Sequence, residues 1–254
     1  MYNNLSEYDD AKLYDAENDW FTDEVDLLVE WAEKLNVGKE RILDLACGTG
    51  RITLPLAKKG YTLLGVDIHA GMLEEAKEKA PADVQVEWIQ QDCTDLQVEG
   101  GIPFSYMVGN SFQHFLTNTD QDALLRSIHR VLKEEGVFIF STRFPSTEEL
   151  LQEPKEEYWR SVHVSEGIRC DIYTKAVYDA ISQIQSYEMI RRFYEGETFI
   201  EEKKTTIDLR YTYPQELERV LGENGFKLLH VHRNWLGDPL TPGCYSMVVI
   251  CQKK

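Results

Sequence analysis

Residues 41–60 read RILDLACGTGRITLPLAKKG. The apolar run at residues 41–46 predicts a short buried strand, and residues 52–59 predict a helix. Between them, Gly48 and Gly50 predict a tight turn, whose backbone N–H groups a ligand can approach without meeting a Cβ atom. A turn of this kind places the ligand at a helix N-terminus and at the carboxyl end of a strand.

Strands and helices alternate up to residue 144. The first forty residues predict helix, since apolar residues such as Leu28 and Ala32 recur at helical spacing. Later helices are predicted at residues 52–59, at 71–80, and between a cap at Thr119 or Asp120 and a stop at Gly136. Strands are predicted at residues 41–46, 61–67, 84–89, 104–108 and 136–144. This alternation predicts a parallel sheet with helices on both faces and right-handed crossovers.

The pattern changes after residue 145. Residues 146–211 are rich in β-branched and aromatic residues and predict three or four antiparallel strands. A helix at residues 214–221 and two further strands follow. We therefore expect one α/β domain formed by residues 1–145 and 212–254, with residues 146–211 inserted as an antiparallel β lid.

The composition limits the function classes. The chain has 254 residues and a formal net charge of −17, and such a field repels nucleic acids and anionic membranes. No apolar run reaches the length of about eighteen residues that a membrane span needs, and no secretory signal is visible. The five cysteines are scattered and show no metal-ligand spacing. We expect a cytoplasmic protein without nucleic-acid, membrane or metal partners.

Two acidic residues follow neighbouring predicted strands. Asp67 ends the second strand, where a carboxylate can accept hydrogen bonds from both ribose hydroxyls; its alternative role is to cap the next helix. Asp92 follows the third strand, where it could bind an adenine amino group or serve as a turn residue. Thr53 stands where a dinucleotide motif has its third glycine, and no phosphate-binding G-K-[ST] follows. The pattern predicts an adenosine-containing ligand other than a dinucleotide or ATP.

In order and spacing, the segments DLACGTGR, GVDIHAGMLEEA, QQDCTDL and VLKEEGVFIF resemble the class I S-adenosylmethionine-dependent methyltransferases. The insertion after the fifth strand resembles that of the small-amine and aminosugar N-methyltransferases. One departure is that KEEG replaces the frequent lysine-proline-glycine-glycine turn, which is structural. The resemblance implies a Rossmann-like seven-stranded, mostly parallel sheet in the order 3-2-1-4-5-7-6, with strand 7 antiparallel. It also implies S-adenosylmethionine as methyl donor and S-adenosylhomocysteine as product.

The resemblance also implies a site for the donor. Its residues would be Asp44, Gly48 and Gly50 around the methionine part, Asp67 at the ribose, Ile68 and Met72 on the two faces of the adenine, Asp92 and the Cys93 backbone at the adenine amino group, Asn110 beneath the donor, and Tyr14 covering it.

His114 lies in the segment NSFQHF, after the fourth strand, where the similar N-methyltransferases carry a substrate-side histidine. Its near-neutral intrinsic pKa suits a general base, and its alternative role is to contact and orient the substrate. Aromatic residues of the insertion pack the lid or line a pocket that suits a cationic amine.

Three functions are consistent with these observations. The first is a methyltransferase acting on a small-molecule methyl acceptor, with an amine as one option. The second is a protein or tRNA methyltransferase, although the acidic composition disfavours RNA. The third is a non-catalytic module that binds S-adenosylmethionine. The sequence leaves the oligomeric state open, and a homodimer is compatible with it.

Overall fold

The computed structural model describes residues 4–254. The α-helices are α1 (Ala11–Asn18), α2 (Glu24–Lys34), α3 (Thr53–Lys58), α4 (Ala70–Lys79), α5 (Asn118–Val131), α6 (Thr147–Leu150) and α7 (Pro214–Glu223). The strands are β1 (Arg41–Leu45), β2 (Thr62–Asp67), β3 (Val86–Gln90), β4 (Ile102–Met107), β5 (Leu132–Arg143), β6 (Glu157–Ser165), β7 (Ile168–Asp179), β8 (Ile184–Glu195), β9 (Thr198–Arg210), β10 (Phe226–His232) and β11 (Ser246–Lys253). Short 3-10 helices cover Leu5–Tyr8, Cys93–Asp95 and Ser111–His114.

The main sheet has seven strands in the order β3-β2-β1-β4-β5-β11-β10. The strands from β3 to β5 run parallel, and β11 pairs antiparallel with both β5 and β10. Counted without the insertion, this is the order 3-2-1-4-5-7-6 with the seventh strand antiparallel, and the predicted fold is confirmed. Because parallel strands have their carboxyl ends at one edge, the turns after β1, β2 and β4 meet there.

Two hydrophobic clusters cover the two faces of this sheet. One includes Leu43 and Phe138, together with the inner faces of α5 and α7. The other includes Ile42 and Phe104, together with α2 and α3. Neighbouring residues of β1 therefore belong to opposite clusters, as expected for a strand that is buried on both faces.

A second sheet, called the lid sheet here, consists of β6–β9 in sequential antiparallel order. Its four strands lie within the predicted interval 146–211 and agree with the upper count of the prediction. Helix α6 precedes it and begins with a reciprocal capping box between Ser146 and Glu149. The division of the chain into two domains remains a prediction.

Two helix predictions were wrong in detail. Residues 4–40 do not form one continuous helix, because α1 ends at Asn18 and α2 begins only at Glu24. The first three residues of that prediction lie outside the described part of the chain. Helix α5 is capped by Thr117 instead of Thr119 or Asp120, since Thr117 and Asp120 satisfy each other's backbone N–H groups. Gly136 does not end α5 but lies within β5.

Arg191 of β8 attaches residues 4–18, called the N-terminal segment here, to the lid sheet. Its Nε donates a hydrogen bond to Glu17 at 2.6 Å, and its Nη2 donates one to Glu7 at 2.5 Å. Its Nη1 also donates to Thr205 of β9 at 2.9 Å. Burial disfavours the charged guanidinium, but the hydrogen bonds to Glu17 and Glu7 outweigh this and raise the pKa of Arg191. The cluster holds the segment against the inner face of the lid sheet.

We predict that Arg191→Ala lowers the free energy of unfolding by about 3–5 kcal/mol, because it leaves two buried carboxylates without their cation. Arg192→Ala is the matched control, since the Arg192 side chain is 26% exposed and pairs with Glu156 and Glu202 at the surface. Arg192→Ala should lower the free energy of unfolding by about 0.2–1 kcal/mol. Urea unfolding followed by far-ultraviolet circular dichroism measures both values. Equal losses in the two variants would contradict the assigned role of Arg191.

Candidate active site

The turn after β1 has left-handed backbone at Ala46, Gly48 and Gly50, with φ angles of 52°, 56° and 79°. A Cβ atom on Gly50 would lie 2.7 Å from the Trp88 ring, so Gly50 is required by packing as well as by its backbone angle. A Cβ atom on Gly48 would meet the terminal methyl group of Met72 at 3.3 Å. The turn therefore brings the backbone close to α4 and β3, beside the carboxyl end of β2.

Asp67 at the end of β2 joins this turn to the start of α4. Its Oδ2 accepts a hydrogen bond from the Gly48 N–H at 2.8 Å, and its Oδ1 accepts one from the His69 N–H at 2.8 Å. The N-cap of α4 is His69, whose Nδ1 accepts from the Met72 N–H. Asp67 is thus not the helix cap itself. Burial raises the pKa of Asp67, while the two backbone hydrogen bonds favour its carboxylate form.

Asp44 in β1 carries a buried oxygen without a partner. Its Oδ2 accepts hydrogen bonds from Thr53 at 2.5 Å and from Tyr106 at 2.8 Å, whereas Oδ1 has no partner within residues 4–254. Burial raises the pKa of Asp44 to about 7. An unsatisfied buried acceptor favours a ligand that brings a donor, and the ammonium group of a methionine moiety would supply one. This fits the predicted donor ligand.

The residues predicted to contact adenine lie around the end of β2 and after β3. Met72 and Cys93 are buried, and Ile68 is 48% exposed. The Asp92 carboxylate accepts from the Thr94 backbone N–H and hydroxyl, each at 2.8 Å, and so begins a 3-10 helix. This geometry is that of a turn residue, and adenine contact remains a prediction for all four.

A cavity of about 740 Å³ separates the carboxyl edge of the main sheet from the lid sheet. Tyr14, Asn110 and His114 line it, so the structure brings these three predicted site residues together. Asn110 has a left-handed backbone with φ of 60°, and its N–H donates to Ser141 at 3.0 Å. Asp44, Gly48 and Asp67 lie deeper, at the ends of β1 and β2.

Both ring nitrogens of His114 form hydrogen bonds. Asn4 accepts from the Asp208 N–H and donates to the Asp208 carbonyl, which fixes its amide nitrogen as the donor. That nitrogen lies 2.9 Å from Nδ1 of His114, so Nδ1 accepts and the neutral ring carries its proton on Nε2. Nε2 is 2.9 Å from the hydroxyl of Tyr8. Burial lowers the pKa of His114 to about 4.

Helix α1 closes over the glycine turn. Asp15 accepts hydrogen bonds from Thr49 at 2.5 Å and from Lys79 at 2.6 Å, and Lys79 also reaches Asp19 at 2.8 Å. These contacts hold α1, which carries Tyr14, beside the turn. The role of Tyr14 as a covering residue remains a prediction. Asn4, Tyr8 and Asp15 were not predicted from the sequence, because each is brought to the site by partners that are distant in the chain.

Within residues 4–254, no group of three or more His, Cys, Asp and Glu residues is arranged to hold a metal ion. In the same part of the chain, no helix is both long enough and apolar enough to cross a membrane.

Residues 42–136 match the family model described as Methyltransferase domain. The match covers the glycine turn, Asp67, Asp92 and His114. Residues 42–136 form a methyltransferase domain, and the chain has the fold of the class I S-adenosylmethionine-dependent methyltransferases. The resemblance stated from the sequence motifs is confirmed, and so is the donor that the family uses.

Two curated relatives match different shares of the chain. The putative methyltransferase YqeM of Bacillus subtilis is 34% identical over 116 residues, which are 45% of this chain and 47% of that protein. The chain thus spans about half the length of this relative. The carboxy-S-adenosyl-L-methionine synthase of Nautilia profundicola is 25% identical over 222 residues, which are 85% of this chain and 82% of that protein.

Solved structures extend the likeness of the fold to the lid sheet. An S-adenosylmethionine-dependent methyltransferase from Clostridium acetobutylicum has a TM-score of 0.80 at 19% identity and covers 99% of both chains. The sugar N-methyltransferase KedS8 from a Streptoalloteichus species has a TM-score of 0.72 at 16% identity, covering 98% of this chain and 93% of that chain. At these identities the likeness concerns the fold.

We predict that Asp67→Asn weakens S-adenosylhomocysteine binding by roughly 1.5–3 kcal/mol, the scale of hydrogen bonds to a charged group. Asp95→Asn, at an exposed carboxylate, is the control and should leave the affinity unchanged. Isothermal titration calorimetry measures both affinities, and melting temperatures are recorded on the same samples. If Asp67→Asn lowers the melting temperature but leaves the affinity intact, Asp67 stabilises the turn and does not bind the ligand.

We predict that His114 makes stability depend on pH between about 4 and 6.5. Since its pKa is lower in the folded state, only the unfolded chain binds its proton in this window, and stability falls as pH falls. His114→Gln should therefore lose less stability over this window than wild type, by up to about 3 kcal/mol.

Urea unfolding at several pH values tests this, with the exposed His163 changed to glutamine as control. Asp44 titrates in the same window with the opposite sign, because its folded pKa is raised. Asp44 is present in wild type and in both variants, so its contribution cancels. The difference in stability between wild type and His114→Gln therefore reports on His114. Parallel stability curves for wild type and His114→Gln would contradict the buried, neutral state of His114.

Proposed function

We propose that this chain transfers a methyl group from S-adenosylmethionine to a small-molecule amine. The observation that carries this proposal is the cavity of about 740 Å³ in which Tyr14 and Asn110, on the donor side, lie with His114. A cavity of this size suits a small molecule. With Tyr14 on the donor side and His114 on the acceptor side, the donor and the acceptor would meet in this cavity, where transfer needs nucleophile, methyl group and sulfur in line.

The residues at the ends of β1 and β2 would hold the donor, which supplies an activated methyl group on its sulfonium. The free Oδ1 of Asp44 would accept from the ammonium group, and Asp67 would accept from the ribose hydroxyls. The backbone turn through Gly48 leaves room for the methionine part. Tyr14 would cover the donor, and Ile68 would pack against the adenine. The roles implied by the family resemblance are kept for the remaining donor-site residues: Gly50, Met72, Asp92, Cys93 and Asn110.

Tyr8 and His114 would orient the acceptor. With its Nδ1 engaged by Asn4 and its pKa lowered to about 4, His114 is neutral near pH 7 and donates from Nε2 to the Tyr8 oxygen. The Tyr8 oxygen can then accept an N–H of a neutral amine and aim the nitrogen lone pair at the methyl group. The nitrogen gains the methyl group, the carbon–sulfur bond breaks, and the resulting ammonium releases a proton. His114 is thus a positioning residue here.

Three further observations support an amine. The net charge of −17 favours the approach of cations. Tyr187 and Tyr211 line the cavity and offer aromatic faces to a positively charged group. KedS8, which shares the fold, is described as a sugar N-methyltransferase.

Incubation of the protein with radiolabelled donor and a cell extract separates the candidate functions. Label in a small, amine-containing product supports the proposal. Label in protein or tRNA would favour a macromolecular substrate and overturn it. If the protein binds the donor but transfers no label, it is a module that binds S-adenosylmethionine without turnover.

We predict that Tyr8→Phe lowers methyl transfer by about tenfold, the scale of one lost hydrogen bond, while S-adenosylhomocysteine affinity stays within about threefold. His114→Ala should act in the same direction, and His163→Ala, at an exposed lid position, is the control. Initial rates with the identified acceptor and calorimetry with S-adenosylhomocysteine measure the two effects. A loss of roughly 10²-fold or more for His114→Ala, with Tyr8→Phe unaffected, would make His114 the general base instead.

A further inference from the structure

One row of residues crosses the inner face of the lid sheet. Arg160 of β6 pairs with Ile172 of β7, which pairs with Arg191 of β8, which pairs with Lys203 of β9. Directly paired residues in antiparallel strands point to the same face, so the three cations of this row face the N-terminal segment.

Two of these cations have carboxylate partners. Arg191 is bonded to Glu7 and Glu17, and Lys203 lies 3.6 Å from Asp10. The guanidinium of Arg160 differs: its Nε and Nη2 atoms are buried and have no hydrogen-bond partner within residues 4–254. The guanidinium lies over the Trp159 ring, whose centroid is 4.2 Å from the guanidinium carbon, and the Glu17 carboxylate acts on it through space without a hydrogen bond.

Arg160 also differs from the other arginines that line the cavity. Arg51 pairs with Glu24 at 2.8 Å, and Arg143 pairs with Glu149. Burying guanidinium N–H groups without acceptors is costly, so a ligand that supplies acceptors would be bound preferentially at Arg160.

We propose that Arg160 binds an anionic group of the methyl acceptor, a carboxylate or a phosphate, so that the acceptor is an amine that carries such a group. The planar guanidinium can donate two parallel hydrogen bonds to either anion. The identity of the methylated group as an amine rests on the proposed function; the anion site rests on Arg160 and the cavity.

The sheet geometry sets the distance between the two ends of this acceptor. His114 is held by Asn4, which binds Asp208 of β9, whereas Arg160 lies on β6. Three strand spacings place the backbones of β6 and β9 about 14 Å apart, and the arginine side chain spans part of this distance. The register adds an offset along the strands, because Asp208 lies five residues beyond Lys203, which belongs to the row of Arg160. We therefore expect the amine and the anionic group to be separated by several bonds, with a compact amino acid such as glycine too short to reach both.

Calorimetry in saturating S-adenosylhomocysteine tests the proposal without requiring turnover. The probes are glycine, γ-aminobutyrate and ε-aminocaproate, each compared with its neutral amide, together with the phosphate monoesters of aminoalcohols of matching length. We expect wild type to bind a longer anionic probe about tenfold or more tightly than its neutral counterpart, and to show no such preference for glycine. Whether the carboxylate or the phosphate series shows the preference identifies the group.

Arg160→Gln should abolish this preference and Arg160→Lys should retain part of it. Arg169→Gln is the control, because Arg169 lies on the same sheet and pairs with Asp171 outside the cavity. A preference that persists in Arg160→Gln overturns the proposal, and so does a lower melting temperature with the preference unchanged, which would mark a purely structural arginine.

Wild type alone can also overturn the proposal, if the longer anionic probes bind no better than the neutral ones or fail to bind. The proposed function fails separately, if the anionic preference is present but no bound amine accepts a methyl group from S-adenosylmethionine.

Discussion

A guanidinium buried between two carboxylates is the interaction on which the acceptor side of this protein depends. Arg191 would be costly to bury alone, and so would Glu7 or Glu17, so each holds the others in place. Through them the lid sheet and the N-terminal segment become one unit. That segment carries Asn4 and Tyr8, which determine the hydrogen bonding of His114, and it carries Tyr14, the residue proposed to cover the donor. The buried ion cluster therefore positions side chains that lie far from it in the sequence.

The proposed donor and acceptor sides depend on different kinds of contact. The proposed donor side lies at the carboxyl ends of parallel strands, where strand order alone brings the glycine turn, Asp44 and Asp67 together. The proposed acceptor side is formed by contacts between elements that no β-ladder within residues 4–254 connects to the main sheet. Its two proposed ends also differ in charge: the neutral His114–Tyr8 pair suits an amine, and the Nε and Nη2 atoms of Arg160, which have no hydrogen-bond partner among residues 4–254, suit an anion.

The parts of the structure that follow from local sequence were predictable. The spacing of apolar residues indicated the order of strands and helices, and the glycine turn and Asp67 lay where strand ends converge. The first residue of α5 was missed because an apolar stripe defines the face of a helix better than its start, which Thr117 sets through a local capping box. The pairs Asn4–Asp208 and Glu17–Arg191 are 204 and 174 residues apart, and one sequence carries no periodic signal for such contacts. For that reason the hydrogen-bond partners of His114 could not be predicted from the sequence.

Because the cluster of Arg191, Glu7 and Glu17 joins them, the N-terminal segment and the lid sheet should open together. Native-state hydrogen exchange on the wild-type protein measures this opening. We expect the amides of α1 and of β8 to share one opening free energy. Rapid exchange throughout α1 beside a well-protected β8 would show that the segment moves independently and that the cluster does not join it to the lid sheet.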